Sequence, residues 1–308
     1  MNWLVVGIGD ISTKRVIPAI LAESRSCLVG LVTRTKDKAK PYGVPSWSSL
    51  DAALNESGAE AVYVATPVAM HAPQTLASLR AGMHVLCEKP VAMNYAEASL
   101  MVQEAEACGR TLGIAYYRRT YPKVQRAKQL LALGAIGIPV LAEGVCHSWF
   151  YPQGDRGWLL DPAMAGGGPL YDIGSHRIDL LNYFFGTPLA AVGAVGNAVH
   201  RTRVEDNATA LIEYGSGVRG IVDVRWHSKI ARDEFRIRGT EGEIELTPLN
   251  SPDLVWPGGR ELLPPHQNLH HPCVGNFVSA VLDGEPLLAS GTSSIWTDWV
   301  TERVISVS

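Results

Sequence analysis

The first part of the chain alternates short apolar runs with segments in which apolar residues recur at every third or fourth position. The apolar runs predict buried strands at residues 2–6, 27–33, 61–66, 84–87 and 111–115. The periodic segments predict helices beginning near residue 16 and at residues 48–57, 71–82 and 94–108. Strands that alternate with helices are joined by right-handed crossovers, so this part predicts a parallel, doubly wound sheet.

The second part has a different pattern. Closely spaced strands are predicted at residues 140–148, 191–200, 207–214, 218–226, 234–238 and 243–246, with glycine-containing turns between several of them. Such spacing is typical of hairpins and therefore of an antiparallel sheet. Helices are predicted at residues 122–133, 274–282 and 295–305. We therefore predict an α/β protein with a doubly wound domain at residues 1–118 and an α+β domain with an open, mainly antiparallel sheet at 119–308.

Composition narrows the class of protein. The chain has 308 residues, 46% of them hydrophobic and 19% charged, with a net charge of −3. This charge gives no electrostatic reason to expect nucleic acid or an anionic membrane as a partner. The five cysteines are scattered and never form a CxxC pair, and no basic leader precedes the first apolar run. These features predict reduced thiols, no metal centre and a cytoplasmic protein.

A glycine turn follows the first predicted strand. Gly7 permits a tight turn, and Gly9 lets a pyrophosphate approach the main-chain amides at the start of a helix. Asp10 and Ile11 lie in the same turn, which predicts dinucleotide binding. The third small position of the fingerprint holds Ser12 in place of glycine. An ordinary strand-to-helix turn is the alternative.

The end of the second predicted strand bears on the choice of dinucleotide. An acidic residue there would bind both ribose hydroxyls of NAD, but the chain has Thr33 and Arg34, followed by Lys36 and Lys38. A guanidinium binds a phosphate through paired, charge-assisted hydrogen bonds. The sequence therefore favours NADP over NAD, with a solvated loop arginine as the alternative.

Ligands of doubly wound sheets bind beyond the carboxyl ends of the strands. The later strand ends carry five candidate residues: Thr66, Pro67, Lys89, Tyr116 and Arg118. Lys89 lies in a turn between Glu88 and Pro90, where an ammonium can lose part of its solvation, as catalytic lysines do. An exposed loop lysine paired with Glu88 is the alternative. Arg118 is consistent with a substrate or phosphate contact and equally with a surface ion pair.

Residues 166–179, GGGPLYDIGSHRID, combine three glycines with a helical pattern. Asp172 and His176 are four positions apart, so on a helix they share one face. A carboxylate that close to an imidazole can orient it for general acid–base chemistry. A helix start with one internally bonded histidine fits the same pattern.

Two loops of the second part are also candidates. Residues 149–162 contain several aromatic side chains, Trp158 among them, which suit the apolar faces and hydroxyls of a sugar but equally suit packing between domains. His266, His270 and His271 lie in a proline-bounded loop without the fixed spacing of a metal site. We expect this loop at the rim of the site.

The string AGMHVLCEKPVAM at residues 81–93, together with the GIGDIS turn and the segment AGGGPLYDIGSHRID, resembles the Gfo/Idh/MocA family of oxidoreductases. The resemblance covers almost the whole chain, and within the family it is greatest to members like anhydrofructose reductase and dihydrodiol dehydrogenase. It implies an N-terminal Rossmann domain that binds NAD(P) and a C-terminal domain with an open, mainly antiparallel sheet. It also implies a homodimer or homotetramer that forms through this sheet.

The same resemblance assigns roles to residues. Lys89 is implied to be the active-site lysine, and Asp172 and His176 complete the catalytic set. Thr66, Pro67 and His71 are implied to lie near the nicotinamide and ribose, and Glu88 beside the cofactor; Tyr116, Arg118 and Trp158 remain the candidates for substrate contacts.

The predicted activity follows from these assignments. We predict an oxidoreductase that transfers hydride between NADP, or NAD, and a secondary alcohol or carbonyl of a sugar, polyol or diol. Lys89 and His176 are expected to hydrogen-bond the reacting oxygen, with Asp172 orienting His176. We favour His176 as the proton shuttle and Lys89 as the electrostatic stabiliser, with the reverse assignment as the alternative. A non-catalytic NAD(P)-binding sensor on the same fold is the alternative.

Overall fold

The computed structural model describes residues 1–151 and 153–306, which divide into two compact units. Residues 1–117 and 266–295 form the first unit, and residues 118–265 with the chain from residue 296 form the second. The predicted division near residue 118 therefore has a counterpart in the contacts. The segment 266–295, which the sequence pattern assigned to the second domain, packs with the first unit.

The described residues contain strands and helices that we number in chain order. The strands are β1 (Asn2–Val6), β2 (Cys27–Val32), β3 (Ser46–Trp47), β4 (Ala61–Val64), β5 (His84–Cys87), β6 (Leu112–Ile114), β7 (Pro139–Trp149), β8 (Pro188–Gly196), β9 (Asn207–Tyr214), β10 (Arg219–Arg225), β11 (His227–Gly239), β12 (Gly242–Glu245), β13 (Asp253–Trp256) and β14 (Gly259–Leu262). The helices are α1 (Ile17–Ala22), α2 (Leu50–Glu56), α3 (His71–Arg80), α4 (Tyr95–Ala107), α5 (Pro122–Ala132), α6 (Pro162–Ala165), α7 (Ser175–Phe185), α8 (His271–Asp283), α9 (Gly291–Ser294) and α10 (Trp296–Ser306).

The first unit is built on a six-stranded parallel sheet of order β3-β2-β1-β4-β5-β6. Every residue of β4 is buried, as expected for a parallel strand covered on both faces. The strand order reverses direction between β1 and β4, and doubly wound sheets bind ligands at such a switch point. The predicted doubly wound sheet is confirmed.

Helix α8 completes the core of the first unit. Val274, Phe277 and Val278 on its buried face pack in one cluster with Trp3 of β1, and the ring centroids of Trp3 and Phe277 are 5.4 Å apart. A Cβ on Gly113 of β6 would lie 2.8 Å from the Phe277 ring. The apolar face of α8 is therefore buried against the sheet of the first unit, which explains why this helix belongs to the first unit and not to the second.

The second unit is built on an eight-stranded sheet of order β14-β13-β12-β11-β7-β10-β9-β8. Among the described strands of this second sheet, only β7 and β10 pair in parallel, so the predicted mainly antiparallel sheet is confirmed. Helix α7 lies on one face of this sheet, where Gly144 meets Arg177 and Gly220 meets Leu181. These glycines let the helix approach the strands closely.

Two features of the second unit differ from the prediction. Strand β11 starts at His227, seven residues before the predicted strand at 234–238, because no residue in its first half is buried and no alternation of buried and exposed positions marks it. The hairpin of β13 and β14 carries a weak pattern and was not predicted. No helix among the described residues has the length and apolar character needed to cross a membrane.

Candidate active site

The glycine turn after β1 has the geometry that a dinucleotide requires. Gly7 has a φ of +94°, and a Cβ there would lie 2.8 Å from the carbonyl oxygen of Ala65, so only glycine fits. Around Gly9, by contrast, no other described atom lies within 4 Å of where a Cβ would be. The main chain at Gly9 is thus open to a phosphate group, while that at Gly7 is closed against the neighbouring strand end.

Ser12, at the third position of the glycine fingerprint, stabilises the turn through hydrogen bonds to Gly9. Its side chain is fully buried, the Gly9 amide donates to its Oγ at 2.8 Å, and the hydroxyl lies 3.0 Å from the Gly9 carbonyl. The helix starts as a π-helical turn at Ser12–Val16 before α1 begins. Asp10 and Ile11 remain exposed beside it. The imperfect fingerprint therefore still gives a tight, internally bonded turn.

The end of β2 carries an unbalanced positive charge. Thr33 is buried and its Oγ1 accepts a hydrogen bond from the amide of Thr35 at 3.2 Å. Arg34 is exposed and forms no ion pair within residues 1–151 and 153–306, whereas Lys40 pairs with Asp37 at 2.7 Å. The loop can therefore offer a guanidinium to an anionic group.

Glu88 is a buried carboxylate held by three donors. The Tyr63 hydroxyl donates to Oε1 at 2.9 Å, the His270 Nε2 lies 3.0 Å from the same oxygen, and the Lys89 amide donates to Oε2 at 3.2 Å. Burial by itself raises the pKa of Glu88, but the hydrogen bond from His270 and the nearby Lys89 ammonium outweigh it, so the pKa lies below its usual range. Glu88 is therefore ionised, and the Lys89 main chain is fixed to it.

His71 joins two of the predicted cofactor loops. Its Nδ1 lies 2.9 Å from the Pro90 carbonyl oxygen and its Nε2 lies 2.9 Å from that of Thr66. Burial lowers the pKa of His71, although the contacts with these two carbonyl oxygens offset part of the effect. Thr66 is fixed further by a 2.7 Å hydrogen bond from its hydroxyl to Gln74. His71 thus connects the loop at Thr66 and Pro67 to the turn that carries Lys89.

The remaining first-unit candidates lie at the same edge of the sheet. Lys89 is half-buried, and its peptide bond to Pro90 is cis. Tyr116 follows β6 and is fully buried. The glycine turn, the β2 loop, the Thr66 loop, the Glu88–Lys89 turn and Tyr116 all follow strands of one parallel sheet, so they share its carboxyl edge, as predicted.

In the second unit, Asp172 and His176 lie where a π-helical turn meets an α-helix. Residues Leu170–Gly174 form the π turn, and α7 follows from Ser175. The uniform helix expected here is therefore wider at its first turn. His176 is 4% exposed, and Asp172 lies 3.9 Å from the guanidinium of Arg156.

The three glycines before this helix serve contacts within the protein. A Cβ on Gly168 would lie 2.0 Å from the main-chain oxygen of Glu205, and one on Gly166 would meet the Tyr171 ring at 2.4 Å. The close approach lets the Glu205 carboxylate accept the amides of Gly168 at 2.7 Å and Leu170 at 3.0 Å. Burial raises the pKa of Glu205, although these two amides offset part of the effect. Glu205 thus holds the start of the helix that carries Asp172 and His176.

Arg118 and Trp158 lie in the second unit, and their proposed substrate contacts stay predictions. Arg118 is 7% exposed and donates to Asn250 at 3.1 Å, so its buried guanidinium belongs to a polar network that reaches the exposed Asn250. That network continues from Asn250 to Asp233, which accepts a hydrogen bond from Arg177 at 2.6 Å. Trp158 is half-buried and packs against a small apolar cluster that contains Trp226.

Sequence reasoning missed the supporting residues Tyr63, Glu205 and His270. None of them belongs to a motif, and each meets its partner only through the fold. Only His270 gave a signal, as one member of the histidine-rich loop. Among the described residues, no group of three or more His, Cys, Asp or Glu side chains is placed to hold a metal ion.

A parallel sheet of this strand order, with a glycine turn after its first strand, defines a dinucleotide-binding class of protein. Comparison with known families makes the class specific. Residues 1–116 match the oxidoreductase family with an NAD-binding Rossmann fold, and residues 124–245 match the GFO/IDH/MocA C-terminal domain. The chain belongs to the GFO/IDH/MocA family of oxidoreductases.

Individual relatives agree with this assignment. The chain is 29% identical over 310 residues to 1,5-anhydro-D-fructose reductase of Ensifer adhaerens, covering 96% of this chain and 92% of the relative. It is 29% identical over 255 residues to a D-xylose 1-dehydrogenase (NADP(+)) of Haloferax volcanii, covering 80% and 76%. The crystal structure of aldose-aldose oxidoreductase from Caulobacter crescentus, complexed with glycerol, superposes with a TM-score of 0.89 at 25% identity, covering 100% of this chain and 97% of that one.

Proposed function

We propose that this oxidoreductase acts on a secondary alcohol or carbonyl of a sugar, polyol or diol, with NADP as the preferred cofactor. The observation that carries the proposal is the Glu88–Lys89 turn, in which a buried, ionised carboxylate fixes the main chain of a half-buried lysine at the carboxyl edge of the dinucleotide-binding sheet. The names of the reductase and the dehydrogenase it resembles support a carbohydrate-like substrate.

In this proposal the protein positions a proton and a charge at the reacting oxygen. The nicotinamide, when bound, supplies or accepts the hydride. The ammonium of Lys89 and the imidazole of His176 each hydrogen-bond the oxygen, one moving its proton and the other offsetting the developing negative charge. Asp172 orients the His176 ring. Tyr116, Arg118 and Trp158 are proposed to contact the substrate.

The proposed cofactor site follows the sheet edge. The turn from Gly7 to Ser12 would receive the pyrophosphate, with the open main chain at Gly9 nearest to it. Thr66, Pro67 and His71 would lie near the nicotinamide and its ribose, with Glu88 and Lys89 beside them. Thr33 and Arg34 would bind the 2′-phosphate of NADP, which the unpaired charge of Arg34 supports.

We also propose that the protein forms a homodimer or homotetramer through the second-unit sheet. Val140, Val192 and Leu211 are large apolar side chains exposed on strands of that sheet. Burial of such side chains against a second copy is favourable. Equilibrium sedimentation at micromolar concentration is expected to give a dimer or tetramer, and a monomer would contradict the proposal. The five cysteines are free, which fits the reducing cytoplasm that we propose as its location.

The test of the function combines binding with turnover. Titration with NADPH and NADH, followed by fluorescence, is expected to show tighter binding of NADPH, and Arg34→Glu is expected to reverse this preference. Absorbance at the nicotinamide band then reports turnover during a screen of carbonyl sugars, polyols and diols. Tighter NADH binding would overturn the cofactor preference, and binding of both nucleotides without turnover of any such compound would overturn the activity.

A further inference from the structure

A short segment of chain returns to the first unit after the sheet of the second unit is complete. We call residues 266–271 the return segment. It is anchored beside the glycine turn, because Arg15 donates to the Gln267 carbonyl at 3.1 Å and the Asn268 side chain donates to the Arg15 carbonyl at 2.8 Å. Arg15 belongs to the helical turn that follows Gly9 and Ser12. The return segment is therefore fixed to the first of the two proposed cofactor-binding features.

His270 connects the same segment to the second feature. Its ring is 2% exposed, lies 4.8 Å from the Tyr117 ring, and places Nε2 3.0 Å from Glu88 Oε1. Its Nδ1 is buried and makes no hydrogen bond within residues 1–151 and 153–306. Because an ionised carboxylate only accepts, we assign the proton to Nε2, which donates to Glu88. The His270 main chain is held too, since its amide donates to the Asn268 side chain at 3.1 Å.

The donor at His270 decides how Glu88 is oriented. A buried carboxylate is stable only when its oxygens are hydrogen-bonded. Tyr63 and His270 both bond Oε1, which leaves Oε2 directed at the Lys89 amide. Tyr63 is a neutral donor from β4, and His270 is the donor that comes from outside the sheet. Without His270 the carboxylate can rotate toward another donor, and the Lys89 amide loses its acceptor.

We propose that His270 is a positioning residue for Lys89, holding Glu88 so that the turn presents the lysine to the substrate oxygen. This inference rests on the proposed function, because it gives Lys89 a part in the reaction. It assigns the histidine-rich loop a role at the site through one hydrogen bond.

The test compares variants that keep or remove the donor. His270→Gln keeps an N–H near the position of Nε2, whereas His270→Phe fills the space and keeps the ring contact with Tyr117 but donates nothing. His270→Ala is a second variant without the donor. His266→Ala is the matched control, because His266 is an exposed member of the same segment whose ring, among the described residues, bonds Asn268 alone and stacks on His271.

Two readouts separate positioning from stability. We expect the Phe and Ala variants to lower kcat about tenfold, a loss typical of a small misplacement of a reacting group, with the KM for NADPH within about threefold of wild type. The Gln variant is expected to recover kcat to within about threefold, and the control to stay within about twofold. Hydrogen exchange of the peptide that contains Lys89 should speed up in the Phe and Ala variants only.

The outcomes distinguish this inference from the proposed function. Unchanged exchange at Lys89 in both donor-free variants would overturn it, whether or not a substrate has been found. Wild-type kcat in those variants would also overturn it and leave the oxidoreductase activity standing. A Gln variant as slow as the Phe variant, or an equal loss in the His266 control, would show that loop packing and not the donor matters.

Discussion

Two glutamates, the buried Glu88 of the first unit and the half-buried Glu205 of the second, support the proposed catalytic residues in opposite ways. Glu88 receives side-chain donors from Tyr63 and His270, and these hold its pKa below its usual range despite burial. Within the part of the chain that the structure describes, the Glu205 carboxylate accepts main-chain amides at the start of a helix and no side-chain donor, and burial leaves its pKa above the usual range. At Glu88, side chains that are distant in the sequence stabilise the negative charge of the carboxylate. At Glu205, there is a close backbone contact that three glycines make possible.

The difference shows what each region demands of the sequence. The conformation of the turn at Lys89 depends on the hydrogen-bond donors to Glu88, so a substitution that keeps such a donor should keep that conformation. The helix at Asp172 and His176 depends on the absence of side chains at Gly166, Gly167 and Gly168, so even a methyl group there should be felt. Four predictions test this contrast, in order of expected effect.

The largest effect is expected at the reacting groups themselves. Lys89→Met and His176→Asn should each lower kcat at least about a hundredfold, the scale of one acid–base group, because each removes a proton or charge from the reacting oxygen. Steady-state rates with NADPH and the best sugar of the screen measure this. Turnover close to that of wild type in both variants would show that neither Lys89 nor His176 takes part in the reaction.

The next effect separates glycines that contact protein from glycines that face the ligand. Gly168→Ala should lower the free energy of unfolding by about 3 kcal/mol, because its Cβ would meet main-chain oxygen of Glu205, which cannot rotate away. Gly9→Ala should leave thermal unfolding unchanged and weaken NADPH binding at least about tenfold, since the space it fills is open. Equal melting temperatures for the two variants would contradict the contrast.

A smaller effect is expected from Glu205→Gln. The amide keeps one acceptor but directs an NH₂ group at a main-chain N–H, so the first turn of the helix must shift. We expect kcat to fall about tenfold with NADPH affinity unchanged, because a small shift of a reacting group is enough for such a loss. Glu213→Gln, on the outer face of β9 with its carboxylate half exposed, is the control. A loss of NADPH affinity equal to the loss of kcat would point to general unfolding instead.

The smallest effect is a difference of sign in the dependence of stability on pH. The lowered pKa of Glu88 contributes stability that is present above pH 4.5 and is lost as the pH falls through its folded pKa. The raised pKa of Glu205 contributes stability that is present below pH 4.5 and is lost as the pH rises through its folded pKa. Urea unfolding of wild type, Glu88→Gln and Glu205→Gln between pH 3.5 and about 7 measures both differences. If the two differences change with pH in the same direction, the pKa values of Glu88 and Glu205 are shifted in the same direction, which would contradict the contrast.

Much of the fold was predictable because it follows local patterns. The strands around the glycine turn are continuous apolar runs, and α4 begins close to the predicted start of a helix at residue 94, where the Asn94 side chain accepts a hydrogen bond from the amide of Glu97. The start of the Asp172 helix was not predicted in detail, because the spacing of Asp172 and His176 fits a uniform helix and does not mark the π turn at Leu170–Gly174. Strand β11 was predicted too short because its exposed half has no buried face to create an alternation.

The supporting contacts of the candidate site were hidden for a different reason. Glu205 lies 35 residues from Leu170 and His270 lies 182 residues from Glu88, and nothing in either local sequence marks the partner. Motifs identify groups that face a ligand. The residues that position those groups are brought to them by tertiary packing, and a single sequence does not reveal which distant residues come together.

The return of helix α8 to the first sheet has a consequence for synthesis on the ribosome. Trp3 emerges near the start of translation, yet Phe277, which packs on it at 5.4 Å, is added only after the entire eight-stranded sheet has been made. Until then, the part of the first-unit core that α8 covers has no partner from that helix. The core of the first unit can therefore be completed only late in synthesis, after α8 has been made.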